Sequence, residues 1–219
     1  MKATDILMNE HRVIEQVLNC LEKLAIQAER ESQLDSQSAR EAIAFFQNFA
    51  DRCHHGKEEG HLFPMLEARG LPQQGGPTGV MLDEHEQGRF CIESMATAVE
   101  RHSTTDFARH ARSYIKLMRQ HIQKEDKCLF PMASQILNQD EAKKLLDAFE
   151  YVEHAEMGEG VHENYVAMAD VLAKRLNIPL AEVQVTCDHC CSHQKDTAQR
   201  GRCSNNQRVV QQMESQFSP

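Results

Sequence analysis

A chain of 219 residues has room for a sizeable core, and at the usual domain size of about 100–200 residues it is expected to hold one domain with an appendage. There is no Trp, there are only 10 Gly and 6 Pro, and period-two runs of β-branched or aromatic residues are missing, so the chain is expected to be all-α. The formal net charge of -9 excludes a non-specific grip on nucleic acid or on an anionic membrane.

In chain order, Thr4 predicts an N-cap, and Leu7, His11, Ile14, Leu18, Leu21 and Ala25 recur at three and four, giving a first helix over about residues 5–29. After the polar segment ESQLDSQS, a second helix carries Ile43, Phe46, Ala50, His54 and Glu58 on one face and is expected to end at Pro64 and Gly70. The segment GLPQQGGPTG, residues 70–79, is a connection with the length of a lid or a substrate-facing loop. Thr78 predicts the cap of a third helix whose inner face holds His85, Ile92 and Val99. A fourth helix follows Ser103, with the stripe Phe107, Ala111, Tyr114, Met118, His121, Glu125 and Cys128. Asn138 and Glu141 form a capping-box pattern for a fifth helix, and Tyr165, Met168, Leu172 and Leu176 share one side of a sixth.

These elements divide the chain into a bundle over residues 1–137, a helical extension over 138–176 packed on it, and an irregular Cys-containing tail over 177–219. The stretch MKATDILMNEH lacks an apolar run of signal-peptide length, and no segment reaches the roughly 18 apolar residues of a membrane span, so a cytoplasmic protein is expected. Cys20, Cys53, Cys91 and Cys128 sit singly in helical patterns, as small buried hydrophobes do.

One segment occurs twice. HHGKEEGHLFP, residues 54–64, aligns without a gap on HIQKEDKCLFP, residues 121–131, and each copy carries H-x-x-x-E. On a helix, positions four apart share a face, so an imidazole and a carboxylate can point at one metal or straddle two. The helix before each copy has its own histidine after an acidic or amide residue and Glu: Asn9-Glu10-His11 and Asp83-Glu84-His85. Two helix pairs packed as an antiparallel four-helix bundle bring His11, His54, Glu58, His85, His121 and Glu125 into its interior. An ionised Glu buried without a partner is costly, so packing alone does not account for the repeat. Four imidazoles and two carboxylates suit iron, with zinc and manganese as alternatives, rather than calcium or magnesium. Six protein ligands for two ions leave an open position for a small diatomic ligand or peroxide.

The segments MNEHRVIEQVL, HHGKEEGHLFP, DEHEQGR and HIQKEDKCLFP together resemble the hemerythrin-like HHE cation-binding family over about residues 3–137. The resemblance implies an antiparallel four-helix bundle around two iron ions with a bridging oxo or hydroxo group. The oxygen carriers of that family have a second histidine four residues after that of the third helix, where Arg89 stands here, so their five-histidine shell is incomplete. Asp126 matches the carriers' Asp in the fourth helix, but the internal repeat pairs Glu125 with Glu58, which leaves Asp126 in reserve.

His55 and Glu59 form a rival H-x-x-x-E, about 100° round the helix, and are expected to be solvated or to support the ligands from behind. Glu153, His154 and His162 are candidates to close over the site's mouth as a ligand or proton relay. His61, His102 and His110 read as surface residues and Tyr114 as packing. Cys187, Cys190, Cys191 and Cys203 form a C-terminal cluster suited to a second metal, to dithiol redox chemistry or to a flexible tail.

The leading functional expectation is a non-haem di-iron protein that binds or reduces dioxygen, nitric oxide or peroxide, as a peroxide- or nitric-oxide-consuming oxidoreductase. The alternatives are an iron or redox sensor or iron-sulfur repair factor, with an electron donor or protein partner engaged through the tail, and a passive oxygen or iron reservoir.

Overall fold

The computed structural model describes residues 2–182, which form six continuous helices and no strand. The first is α1 (Ala3–Glu31). The second begins as α2 (Ser36–Phe45), passes through π-helical segments at Phe46–His55 and Glu58–Leu62, and finishes as α3 (Phe63–Ala68). The third is α4 (Pro77–Glu100). The fourth begins as α5 (Thr104–Lys124), passes through a π turn at Glu125–Leu129 and ends as α6 (Phe130–Ile136). These four make an antiparallel bundle, with α1 and α4 packed against α5 and α2 against both α1 and α4. Beyond it, α7 (Gln139–Tyr151) runs into a π turn at Val152–Glu156, and α8 (Val161–Arg175) lies along α1 and α2.

Local chemistry sets the helix ends. Asp35 accepts from the Gln37 and Ser38 amides at 3.1 Å each, and Asn138 and Glu141 exchange the two bonds of a capping box. Two expected caps are corrected. Pro77 occupies the first turn of α4 and keeps Gly76 before it extended, so Gly76 becomes the N-cap and Thr78 lies buried inside the helix. Likewise Lys2, not Thr4, precedes α1; Thr4 is buried with its hydroxyl 3.4 Å from that of Ser134.

Pro64 does not stop the second helix, which continues to Ala68 and turns off at Gly70, where φ is +92°. A proline inside a helix lacks an N–H and pushes its ring against the carbonyl four residues back, here that of Gly60. The chain relieves that clash by widening the turn just before it: Phe63 N–H donates to the Glu58 carbonyl, five residues back. The second copy of the repeat does the same, with Phe130 N–H donating to the Glu125 carbonyl ahead of Pro131. The shared L-F-P ending thus encodes a π turn that starts at each glutamate. The widened turn also re-aims its last residues, since Leu129 is buried and Cys128 is exposed, against the expectation that Cys128 would be buried.

The bundle has two apolar clusters. One contains Ile14, Leu18, Phe46, Phe49, Met95 and Ile122; the other contains Leu7, Leu62, Phe63, Met81, Leu129 and Phe130. On each of the four bundle helices the buried histidines and glutamates fall between residues of these two clusters. A polar layer therefore crosses the core. Each fully buried Leu or Phe contributes about 1.5–3 kcal/mol, and the apolar layers on either side offset the cost of burying ionisable groups between them.

A candidate metal centre

The helices deliver seven ionisable side chains to the polar layer. α1 provides His11, the second helix His54, His55 and Glu58, α4 His85, and the fourth helix His121 and Glu125, all 2% exposed or less. His55 corrects the expectation of a solvated residue. In an α-helix it would lie about 100° from His54. Both residues stand in the π-helical segment Phe46–His55, but the equivalent pair His121 and Ile122 is equally buried in the regular α5, so the buried face of a bundle helix is wide enough here for two adjacent residues. The repeat held a signal for this: the position equivalent to His55 in the second copy is Ile122, an apolar residue that is also buried.

Every one of the five imidazoles is held from behind by a carboxylate. His11 Nδ1 is 2.7 Å from Asp126, His54 Nδ1 2.9 Å from Glu10, His55 Nδ1 3.3 Å from Asp51, His85 Nδ1 2.6 Å from Glu59, and His121 Nδ1 3.0 Å from Glu84. Each carboxylate is neutralised in turn: Arg12 pairs with Asp126, Lys57 with Glu10, Lys124 with Glu84, and Arg89 with both Asp51 and Glu59. A carboxylate can only accept, so each ring carries a proton on Nδ1 and, when neutral, turns its Nε2 lone pair to the centre. Backing of this kind orients a metal-binding imidazole and raises its basicity.

The two helix pairs repeat this pattern. Asp126 and Glu59 occupy one repeat position and back the lone histidine of the opposite pair, while Lys57 and Lys124 hold Glu10 and Glu84. Phe130 and Phe63, again equivalent, stack on His11 and His85 at centroid distances of 5.4 and 5.9 Å. His55 breaks the symmetry.

On the inner side, Glu58 sends one oxygen to within 3.5 Å of His54 Nε2 and the other to within 3.5 Å of His85 Nε2. Glu125 Oε2 lies 3.3 Å from His11 Nε2 and 3.2 Å from His121 Nε2. Two ligand sets result, both containing Glu58: His55, Glu58, His85 and His121 on one side, and His11, His54, Glu58 and Glu125 on the other, with the ligand atoms of each set within 4.8 Å of one another.

The donor chemistry fits a metal pair. The Nε2 atoms of His11, His54 and His55 and all four carboxylate oxygens of Glu58 and Glu125 are buried without a hydrogen bond, and buried polar groups are otherwise almost always satisfied. His85 Nε2 and His121 Nε2 approach to 3.1 Å although each ring keeps its proton on the far nitrogen. Protons relieve part of this conflict. Burial, reinforced by the Glu125 charge, pushes the Glu58 carboxyl well above the ordinary carboxylate range. Burial also pushes Glu125 up, but the charge of His121 and the close approach of His11 and His121 outweigh it and hold Glu125 well below that range. His121 is correspondingly raised to about 9, its burial outweighed by the attraction of Glu125. Burial takes His54 down to about 4 and, together with His85 and His121, keeps His55 well below the usual imidazole value, so both present free lone pairs.

The remaining candidates lie elsewhere. Asp126, Glu59, Glu153 and His162 stand behind the ligands rather than among them, the last two around Glu10 and Lys57. His154 is exposed, Tyr114 packs edge-on against Phe46 at 4.8 Å, and Cys187, Cys190, Cys191 and Cys203 lie outside the described residues. Arg89, in place of a histidine, ties together the carboxylates behind His55 and His85. Among the described residues no helix is long and apolar enough to cross a membrane.

Comparison with known proteins gives the same picture. The chain is 24% identical over 182 residues to an uncharacterized protein of Mycobacterium bovis, Mb2018, and to one of Mycobacterium tuberculosis, Rv1995, an alignment covering 80% of this chain and 71% of each relative. No solved structure matches it. The profile of the hemerythrin HHE cation-binding domain matches residues 2–133, which hold all seven inward-facing residues, and the chain belongs to that family.

Proposed function

We propose that this is a non-haem di-iron protein that binds or reduces a small oxidant: dioxygen, nitric oxide or peroxide. The observation that carries the reading is the convergence of unpaired buried imidazole and carboxylate atoms into two ligand sets that share Glu58. Imidazole with carboxylate suits iron among the first-row metals. An iron pair, when bound, supplies redox equivalents and open coordination positions.

The protein's own residues explain the rest. Each position is faced by four side chains, three imidazoles with Glu58 at one and two imidazoles with Glu58 and Glu125 at the other, so both leave room for a small ligand. The outer carboxylates fix each ring's tautomer and hold its proton on Nδ1. Phe63, Phe130, Leu62 and Leu129, all 2% exposed or less, keep bulk water from that end of the polar layer.

The test is metal analysis joined to an anaerobic-to-aerobic spectral titration of the full chain. About two irons per chain are expected, with a charge-transfer band appearing on exposure to oxidant. Trace iron only, together with a featureless spectrum after iron loading, would sink the reading.

A further inference from the structure

Lys57 and Lys124 hold the same position in the two copies of the repeat and the same task, each pairing with the glutamate behind a histidine. Their surroundings differ. The Lys124 side chain is 40% exposed, whereas that of Lys57 is 0% exposed. The difference comes from the helices after the bundle. Lys57 Nζ, 2.5 Å from Glu10, is also paired with Glu153 of the Val152–Glu156 turn, and it sits 5.7 Å from the ring centroid of Phe149 in α7. Glu10 in turn meets His162 Nε2, from the first turn of α8, at 3.1 Å on the oxygen that faces Lys57, while its other oxygen takes His54 Nδ1 at 2.9 Å. The ring of His162 is braced by Phe49 at 5.0 Å. Glu10, Glu153 and His162 converge closely enough to hold a cation, and the cation among them is the Lys57 ammonium.

We infer that Glu153 and His162 are positioning residues for the His54 half of the centre, so that one metal position and not the other depends on helices outside the family-matched region. The inference rests on the di-iron reading of the centre. Glu10 fixes the orientation and tautomer of His54, but only while Lys57 and Glu10 stay inside. Without Glu153 and His162, the ammonium keeps a single partner, both charges gain by turning to water, and His54 loses its acceptor. The opposite half needs no such clamp, because Glu84 and Lys124 meet at the bundle's own surface.

The test follows iron release from the anaerobically loaded full chain to a chromogenic chelator. In Glu153→Gln and His162→Ala, about half of the iron is expected to leave about tenfold faster or more, the scale of a lost outer partner, while the other half keeps the wild-type rate. Glu84→Gln should release a complementary half, and combining it with His162→Ala should speed both. His162→Gln, whose amide can still donate to Glu10, should return the wild-type rate, which general loosening of the extension would not do. If His162→Ala fails to fold by circular dichroism, Glu153→Gln and His162→Gln carry the comparison. Wild-type release in Glu153→Gln and His162→Ala, or equal acceleration of both halves, overturns the inference and leaves the centre intact. A wild-type chain that holds no more than trace iron overturns both.

Discussion

His55 lies flat on His85, ring centroids 3.8 Å apart and planes within 12°, although the two residues come from different helices. Their backing carboxylates, Asp51 and Glu59, share the guanidinium of Arg89. The pair behaves as one unit of the three-histidine side. His55→Gln is therefore expected to lower iron content to about half that of the wild type, as His85→Gln does, whereas the exposed His154→Gln leaves it unchanged. Metal analysis of the three variants decides the matter, and full iron content in His55→Gln would remove it from the ligand set.

Glu58 and Glu125 occupy equivalent positions and are pushed in opposite directions in the metal-free protein. Burial and the Glu125 charge push the Glu58 carboxyl up, while His121 and His11 outweigh burial and hold Glu125 down. Glu58→Gln should change the stability of the metal-free chain by no more than about 1 kcal/mol, because a neutral amide suits a site where burial and the Glu125 charge already disfavour the carboxylate. Glu125→Gln should cost about 3 kcal/mol or more by leaving a buried imidazolium without its partner. Urea unfolding with a chelator present measures both, and both variants should bind iron poorly.

The π turns make the two prolines instruments of site geometry. Pro131→Ala restores an N–H and removes the ring whose clash with the Lys127 carbonyl the widened turn avoids, so the turn at Glu125–Leu129 can tighten to α. Metal affinity should fall at least tenfold as Glu125 rotates, while metal-free stability holds or rises, since an interior proline costs a helix about 3 kcal/mol. Thermal melts paired with iron titration would show the two effects moving apart.

Asp35 caps the helix that carries His54, His55 and Glu58. Burial pushes its carboxyl up, but its bonds from Ser38 and Gln37 outweigh that and hold it below the ordinary value of 3.8. A depressed carboxylate adds stability above its unfolded pKa and loses it as pH falls through the folded one. Asp35→Ala should thus cost about 1 kcal/mol at neutral pH and progressively less towards pH 3, read from denaturation midpoints across that range.

Much of this molecule was legible before folding. The repeat placed one histidine and one H-x-x-x-E in each helix pair, and a gapless alignment on L-F-P chose Glu125 over Asp126; the structure places Glu125 inside and Asp126 behind His11. The solvated reading of His55 failed because the buried face of a bundle helix is wide enough for two adjacent residues, as His121 and Ile122 show on the fourth helix. Caps at Thr4 and Thr78 were misjudged for a related reason. The local preference of threonine was outweighed by what Pro77 requires of Gly76 and by burial against Ser134.

The order of residues along the chain was enough to set the helical class, the pairing of helices and which residue types meet in the polar layer, because periodicity and repetition are properties of the chain. Tertiary packing alone settled that a fifth imidazole joins them, that each ring has its own carboxylate and counter-cation, and that Lys57 is buried beneath α7 and α8. Those facts depend on how wide a face each helix buries and on contacts between residues as far apart as Glu10 and His162, which no local pattern records.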